Sequence, residues 1–109
     1  MTYNASHRFA RISPRKARLV VDMVRGMKIE EAMAALDFSK RRGAYFLQSV
    51  LKSAVANAEE NDADLSRLYV ESSWVDEGPT IKRFQPKDRG RAHPIWKRTS
   101  HIHVQVAER

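Results

Sequence analysis

Apolar residues recur at helical spacing in three stretches of the chain. The first begins at Ser13, a favourable N-cap, with Pro14 at the first helical position, and it ends at Gly26. The second is shorter and has acidic side chains in its first turn, which complement the helix dipole. The apolar positions are Ala17, Val20, Val21 and Val24 in the first stretch and Ile29, Ala32, Met33 and Leu36 in the second. These first two stretches are therefore predicted to be helices.

The third stretch is the longest and has the widest apolar face. Ser39 is a plausible cap at its beginning, and the pattern ends near Asn61. The apolar positions are Leu47, Val50, Leu51, Ala54, Val55 and Ala58. An apolar face of this width predicts the helix at the centre of the hydrophobic core.

Three other segments alternate apolar and polar residues, which is typical of half-buried strands. They are Tyr3 to Ile12, Leu68 to Val75 and Ile102 to Val106, and the last alternates with His101, His103 and Gln105. The predicted apolar faces are Tyr3, Ala5, His7 and Phe9, then Leu68, Val70 and Trp74, then Ile102, Val104 and Val106. We expect an α+β fold with three helices packed on a small antiparallel three-stranded sheet, in which the last two strands are partners.

Residues 79–99 form an unusually long connection between the last two predicted strands. Connections within compact domains are mostly a few residues long, so one of this length is usually functional or disordered. It has too few apolar residues for a core of its own, and we expect a long protruding β-hairpin that reaches about 30 Å. Residues 1–109 are thus predicted to form a single domain, with a globular body at residues 1–78 and 100–109 and an arm at residues 79–99.

The chain is strongly basic, and its basic residues are concentrated in two separate blocks. The formal net charge is +7. Residues 1–28 and residues 79–99 each hold seven basic residues against one acidic residue, whereas residues 29–78 hold five basic and ten acidic residues. Two separate basic blocks predict a binding surface for a polyanion, and nucleic acid is the leading candidate.

Composition excludes several other classes of protein. The chain has no cysteine, which rules out disulfides, thiolate zinc sites and cysteine nucleophiles. No apolar run approaches the roughly 18 residues of a membrane span, and Met1 to Ala10 is unlike a signal peptide. We expect a soluble, cytoplasmic protein.

Cations cluster at the beginnings of the first and third predicted helices. Cations there oppose the helix dipole at a cost of about 0.3–1 kcal/mol each, yet a helix N-terminus flanked by basic residues suits a phosphate. The clusters are Arg15, Lys16 and Arg18 in the first helix and Lys40, Arg41 and Arg42 at the third. A solvated charged face explains either cluster alone equally well. Both clusters together with the basic arm favour phosphate binding.

Two aromatic residues of the arm have two interpretations. Phe84 and Trp96 could stack on unpaired bases. They could equally pair with each other across the hairpin, since cross-strand aromatic pairs are common stabilisers.

Enzymatic chemistry is poorly supported by the sequence. His101 and His103 make an incomplete zinc site, and a polar strand face explains them better. Asp76 and Glu77 are neighbours on a strand and point to opposite faces, so they cannot flank one substrate as an acid/base pair. We expect no enzyme, no metal, no cofactor and no small-molecule substrate.

DNA and a membrane surface are two alternatives to RNA as the binding partner. The first two helices could form a helix-turn-helix, but Glu30 and Glu31 make the second helix a poor match for DNA phosphates. Membrane-surface binding is disfavoured because the basic arm lacks a lipid-facing apolar stripe.

Several stretches of the chain follow the pattern of one known family. They are Ser13-Pro14-Arg15-Lys16, Leu51-Lys52-Ser53-Ala54-Val55-Ala56-Asn57-Ala58 and Val75-Asp76-Glu77-Gly78-Pro79. Within the arm, the matching positions are Lys82-Arg83, Pro86, Gly90-Arg91-Ala92, Ile95 and Lys97-Arg98, and His101-Ile102 matches just after it. Over nearly its whole length the chain resembles the bacterial large-subunit ribosomal protein L twenty-two family.

This resemblance implies a structural protein that binds large-subunit ribosomal RNA and supports subunit assembly. The body would sit near the peptide exit beside neighbouring ribosomal proteins, and the arm would thread inward so that its tip lines the tunnel and meets the nascent peptide. The predicted RNA-binding residues are Arg8, Arg11, Arg15, Lys16, Arg18, Lys40, Arg41, Arg42, Lys82, Arg83, Lys87, Arg89, Arg91, Lys97 and Arg98. The predicted tunnel-lining tip is Arg83, Phe84, Gln85, Pro86, Lys87, Asp88, Arg89, Gly90 and Arg91.

Overall fold

A computed structural model describes residues 2–87 and 91–108, with the backbone alone for residues 83–87 and 91–95. The described part contains three α-helices, a short 3-10 turn at Leu65–Arg67 and strands in two antiparallel sheets. The elements are β1 (Thr2–Ala10), α1 (Pro14–Val24), α2 (Ile29–Phe38), α3 (Arg42–Glu60), β2 (Leu68–Glu77), β3 (Ile81–Lys87), β4 (Arg91–Lys97) and β5 (Ser100–Glu108). The predicted α+β fold is confirmed.

The three-stranded sheet has the order β1-β5-β2, so the C-terminal strand lies at its centre. Ile102, Val104 and Val106 of β5 are buried, as the alternating pattern predicts. Leu47 and Leu51 of α3 are fully buried in the same core, and α1 and α3 both contact this sheet. Burial of these side chains is the main stabilising contribution to the body.

The β2 strand departs from the predicted alternation because it contains a bulge. Val70 pairs with Val106, but the next pair is Ser72 with Gln105, which leaves Glu71 as an extra residue. An extra residue moves every following side chain to the opposite face. The predicted inward position of Trp74 is therefore wrong: the Trp74 side chain is exposed, and its neighbours on either side are buried instead.

A second irregularity lies at the end of β1, between His7 and Ala10. Phe9 has a φ of +59°, and its side chain is 57% exposed, so its predicted inward position is also wrong. Ala10 is the next buried residue of the strand. The left-handed backbone at Phe9 turns the ring out of the sheet's inner face.

The third helix begins later than the sequence predicts. Its N-cap is Arg41, and Ser39 instead ends α2, where its backbone N–H donates to Leu36 O at 3.3 Å. The predicted cap at Ser39 is therefore wrong. The Ser39 side chain instead accepts the Arg41 N–H at 3.3 Å, within the link between the two helices.

The beginnings of α1 and α3 pack closely because Gly43 has no side chain. A Cβ atom at this position would lie 3.1 Å from Val20 Cγ2 and 3.5 Å from Ile12 Cδ1. These distances are at or below ordinary van der Waals contact. Gly43 therefore brings the N-termini of two helices side by side.

Side chains and backbone of the α1 region cover the outer edge of β2. Arg18 Nη2 donates to Val75 O at 3.0 Å, and Arg25 Nη2 donates to Ser73 O at 2.7 Å. Farther along the strand, the Val70 N–H donates to Met27 O at 2.8 Å. These hydrogen bonds attach α1 and the turn after it to the sheet.

Strands β3 and β4 pair with each other in a second, two-stranded sheet. The register places Lys82 opposite Trp96 and Phe84 opposite Pro94, so the two aromatic residues do not lie directly across from each other. At the base of this hairpin, Thr99 Oγ1 donates to Pro79 O at 2.6 Å.

The molecule is elongated, with principal dimensions of 62 × 24 × 17 Å. Its radius of gyration of 16.8 Å exceeds the roughly 13 Å of a compact domain of about 100 residues. How far the arm protrudes stays a prediction.

Within the residues that the structure describes, no helix is long and apolar enough to span a bilayer.

Candidate nucleic-acid interface

An open cleft of about 970 Å³ lies where the beginnings of α1 and α3 meet the end of β4. Its lining comes from three separate parts of the sequence. The lining residues are Arg11, Ile12, Ser13, Lys16, Leu19, Arg41, Arg42, Gly43, Trp96, Lys97 and Arg98. Six of these residues are basic and none is acidic. The fold thus gathers cations from both basic blocks and from the start of α3 into one surface, which we call the basic cleft.

Both helix N-termini in the basic cleft lack a side-chain cap. The N-cap residues Ser13 and Arg41 form no side-chain capping hydrogen bond. Neither helix has an acidic residue in its first turn. First-turn N–H groups have no partner within their own helix, and with the dipole they favour a bound anion. The cleft therefore combines backbone donors and side-chain cations that suit phosphate oxygens.

The cations of the basic cleft have no carboxylate partner among the residues that the structure describes. The Arg25–Asp22 ion pair and the contact of His103 with Asp76 both lie outside the cleft. Arg42 lies over the Phe46 ring at 5.7 Å, which does not remove its charge. Six cations without a carboxylate partner create a positive field that attracts a polyanion.

The floor of the basic cleft has an apolar part. The side chains of Leu19 and Trp96 line it, and each is 54% exposed. Lys82 Nζ lies 4.7 Å from the centroid of the Trp96 ring, within the range of a cation–π contact. The sequence pattern missed Leu19 as a site residue, although its position outside the apolar stripe of α1 was a signal that it is exposed.

The structure places the other predicted RNA-binding residues differently. Arg18 is bonded to the Val75 carbonyl and does not line the cleft. Arg8, Arg15 and Lys40 are exposed on other parts of the surface, and Lys82 contacts Trp96. The side chains of Arg83, Phe84, Gln85, Pro86, Lys87 and Arg91, and all of Asp88, Arg89 and Gly90, lie outside what the structure describes. The tunnel-lining tip therefore stays a prediction.

The two histidines that the sequence offers as metal ligands are engaged separately. His101 Nδ1 accepts the Phe9 N–H at 3.0 Å, while His103 stacks on Trp74 with ring centroids 5.0 Å apart. His103 Nε2 also lies 3.1 Å from Asp76 Oδ2. Among the described residues, no group of three metal-ligating side chains occurs.

Comparison with known proteins agrees with the resemblance found in the sequence. The family described as Ribosomal protein L22p/L17e matches residues 5–107. The large ribosomal subunit protein uL22 of Lacticaseibacillus casei (strain BL23) is 52% identical over 106 residues, covering 96% of this chain and 91% of that protein. The protein of the same name from Ligilactobacillus salivarius (strain UCC118) is 55% identical over 104 residues, covering 94% of this chain and 90% of that protein.

Proposed function

The chain belongs to the ribosomal protein L22p/L17e family, and on that basis we propose that it binds large-subunit ribosomal RNA through the basic cleft. It is a structural constituent of the large ribosomal subunit, located with the ribosome in the cytoplasm, and is not an enzyme. The observation that carries the RNA-binding proposal is the cleft itself. Six cations that pair with no carboxylate in the described part of the chain surround two helix N-termini without side-chain caps there.

We also propose that the body and the arm have different roles in the ribosome. The body, residues 1–78 and 100–109, together with the base of the arm at Trp96, Lys97 and Arg98, holds the cleft against RNA on the outer surface of the subunit near neighbouring ribosomal proteins. The arm, residues 79–99, continues inward and carries its tip to the nascent-peptide tunnel. Support comes from the second basic block, which lies within the arm, and from the paired strands β3 and β4. By holding distant RNA segments together, the protein would support subunit assembly.

A salt titration with large-subunit ribosomal RNA tests the RNA-binding proposal. Each phosphate that a cation neutralises releases a counterion, so six contacts to duplex predict a loss of affinity of about 10³-fold between roughly 50 and 200 mM salt. A nearly flat titration would refute phosphate-based binding.

A pair of double variants assigns this binding to the cleft. Neutralising Arg41→Gln and Arg98→Gln together should make the slope of log K against log salt shallower by about 1.4 to 1.8. Lys28→Gln with Lys52→Gln removes the same charge from residues outside the cleft and is the matched control. Equal slopes for the two double variants would show that net charge, rather than the cleft, determines binding.

A further inference from the structure

An apolar floor inside a cationic cleft has no role in binding phosphates alone. Leu19 and Trp96 are large apolar side chains, yet each keeps about half of its surface exposed. Both line the same cavity as the six cations. The lining therefore offers two kinds of contact at once, one for a charged backbone and one for a flat apolar group.

Regular duplex RNA can use only the first kind of contact. Its bases are paired and stacked on their neighbours, and an A-form helix presents phosphates and 2′-hydroxyls to a protein surface. Against a duplex, Trp96 and Leu19 would stay hydrated or meet polar groups. An unpaired nucleotide has a free base for the apolar floor and a phosphate for the cations.

We propose that the basic cleft receives an unpaired nucleotide of the RNA, extruded at a bulge or junction, with its base stacked on Trp96 beside Leu19. Its flanking phosphates lie at the N-termini of α1 and α3. This inference rests on the proposed RNA binding and deepens it, because it names the structure of the RNA that the cleft selects. A volume of about 970 Å³ is near the upper end of the roughly 300–1,000 Å³ of ligand pockets, so a nucleotide can enter.

The register of the hairpin places a cation against the Trp96 ring. Lys82 lies directly opposite Trp96, and its ammonium group contacts the ring at 4.7 Å. The contact with Lys82 favours one orientation of the ring, and the tryptophan remains 54% exposed at the cleft.

Tryptophan fluorescence of the full-length protein tests the stacking directly. The chain has two tryptophans, so Trp74→Phe leaves Trp96 as the sole reporter. The probes are a synthetic RNA hairpin with a perfectly paired stem and the same hairpin with a single-nucleotide bulge. We expect the bulged RNA to quench Trp96 strongly at saturation and the paired RNA to leave its emission nearly unchanged.

Affinity measurements with a matched pair of variants give a second test. Trp96→Leu should weaken binding of the bulged RNA by about 5- to 150-fold, the range that loss of one base–aromatic stack produces. Its affinity for the paired RNA should change less than about twofold, with an unchanged salt slope. Trp74→Leu removes the other tryptophan, on the three-stranded sheet, and should not alter the preference for the bulge. Trp96→Phe keeps an aromatic face and should restore most of the preference.

Different results overturn different claims. If the wild-type protein binds both RNAs with equal affinity and steep salt dependence, and Trp96 is not quenched, the stacking inference fails while phosphate binding stands. If neither RNA binds in a salt-dependent way, both the stacking inference and the proposed RNA binding fail. Equal losses for both RNAs in Trp96→Leu, with a normal thermal melt, would also contradict the inference.

Discussion

Lys16 and Arg18 lie two residues apart on α1, and the sequence predicts RNA binding for both. The structure gives them different surroundings. Lys16 lines the basic cleft, whereas the guanidinium group of Arg18 donates a hydrogen bond to the Val75 carbonyl. Sequence reasoning could identify both cations but could not separate them, because the partner of Arg18 lies in a strand 57 residues away.

Replacing each of these residues by methionine should separate the two roles. Arg18→Met should lower the free energy of unfolding by about 0.5–1.5 kcal/mol through loss of the hydrogen bond to β2, and leave the salt slope of RNA binding unchanged. Lys16→Met should leave stability nearly constant and reduce the slope by about 0.7 to 0.9. Urea unfolding and salt titration measure the two effects, and a stability loss confined to Lys16→Met would contradict the assignment.

Gly43 is a second position where one residue determines the geometry of the cleft. Alanine there would place its Cβ 3.1 Å from Val20 Cγ2, so this buried valine would have to shift by a few tenths of an ångström. We expect Gly43→Ala to destabilise the fold by about 1–3 kcal/mol, as overpacking does, and to weaken RNA binding as well.

Gly26→Ala is the control for Gly43→Ala. Gly26 has a φ of +86° and open space around its Cβ position, so alanine there costs about 1–2 kcal/mol through backbone strain alone. It lies outside the cleft, and RNA affinity at a temperature where the protein is folded should be unchanged. Equal binding losses in both variants would mean that stability, and not cleft geometry, limits binding.

At the scale of elements, periodicity predicted the strands and helices well wherever the backbone stays regular. In β5 the alternation runs without interruption, and Ile102, Val104 and Val106 are buried as expected. In β2 the bulge after Val70 moves Trp74 outward. A bulge inserts one residue without any local change in polarity, so the sequence pattern alone could not reveal it.

The candidate site was predictable only in part for a related reason. The cations at the starts of α1 and α3 could be read from the sequence because each cluster is contiguous. Their approach to the end of β4 depends on tertiary packing, and so does the exposure of Leu19 in the resulting cleft.

The hairpin of β3 and β4 is the element whose stability should depend most on RNA. A two-stranded ribbon is marginal in water, and repulsion among its cations weakens it further. We expect fast amide exchange along Ile81–Lys87 and Arg91–Lys97 in the free protein and slow exchange in the RNA complex. The amides of β5, at the centre of the three-stranded sheet, provide the internal reference. Strong protection of the hairpin in the free protein would contradict this expectation.

At the scale of the whole molecule, the distribution of charge along the chain matches the proposed division into body and arm. Charge reversal of Arg89 and Arg91 should impair placement of the arm, because like-charged groups then face RNA phosphates. We expect this variant to co-sediment poorly with large ribosomal subunits at moderate salt, while circular dichroism shows unchanged helix content.

Lys28→Glu with Lys52→Glu changes the net charge of the protein by the same amount within the body. It should co-sediment better than the arm variant, since neither residue lies in the cleft or the arm. A loss of helix content in the arm variant would contradict the independence of body and arm.

The arginines that α1 extends to β2 have a consequence for the protein before it meets RNA. An open strand with free carbonyl and amide groups is a template on which another chain can add a strand, which leads to aggregation. Here the carbonyls of Ser73 and Val75 are already occupied by Arg25 and Arg18. With these two acceptors occupied, addition of a foreign strand at this edge should be disfavoured even in the free protein.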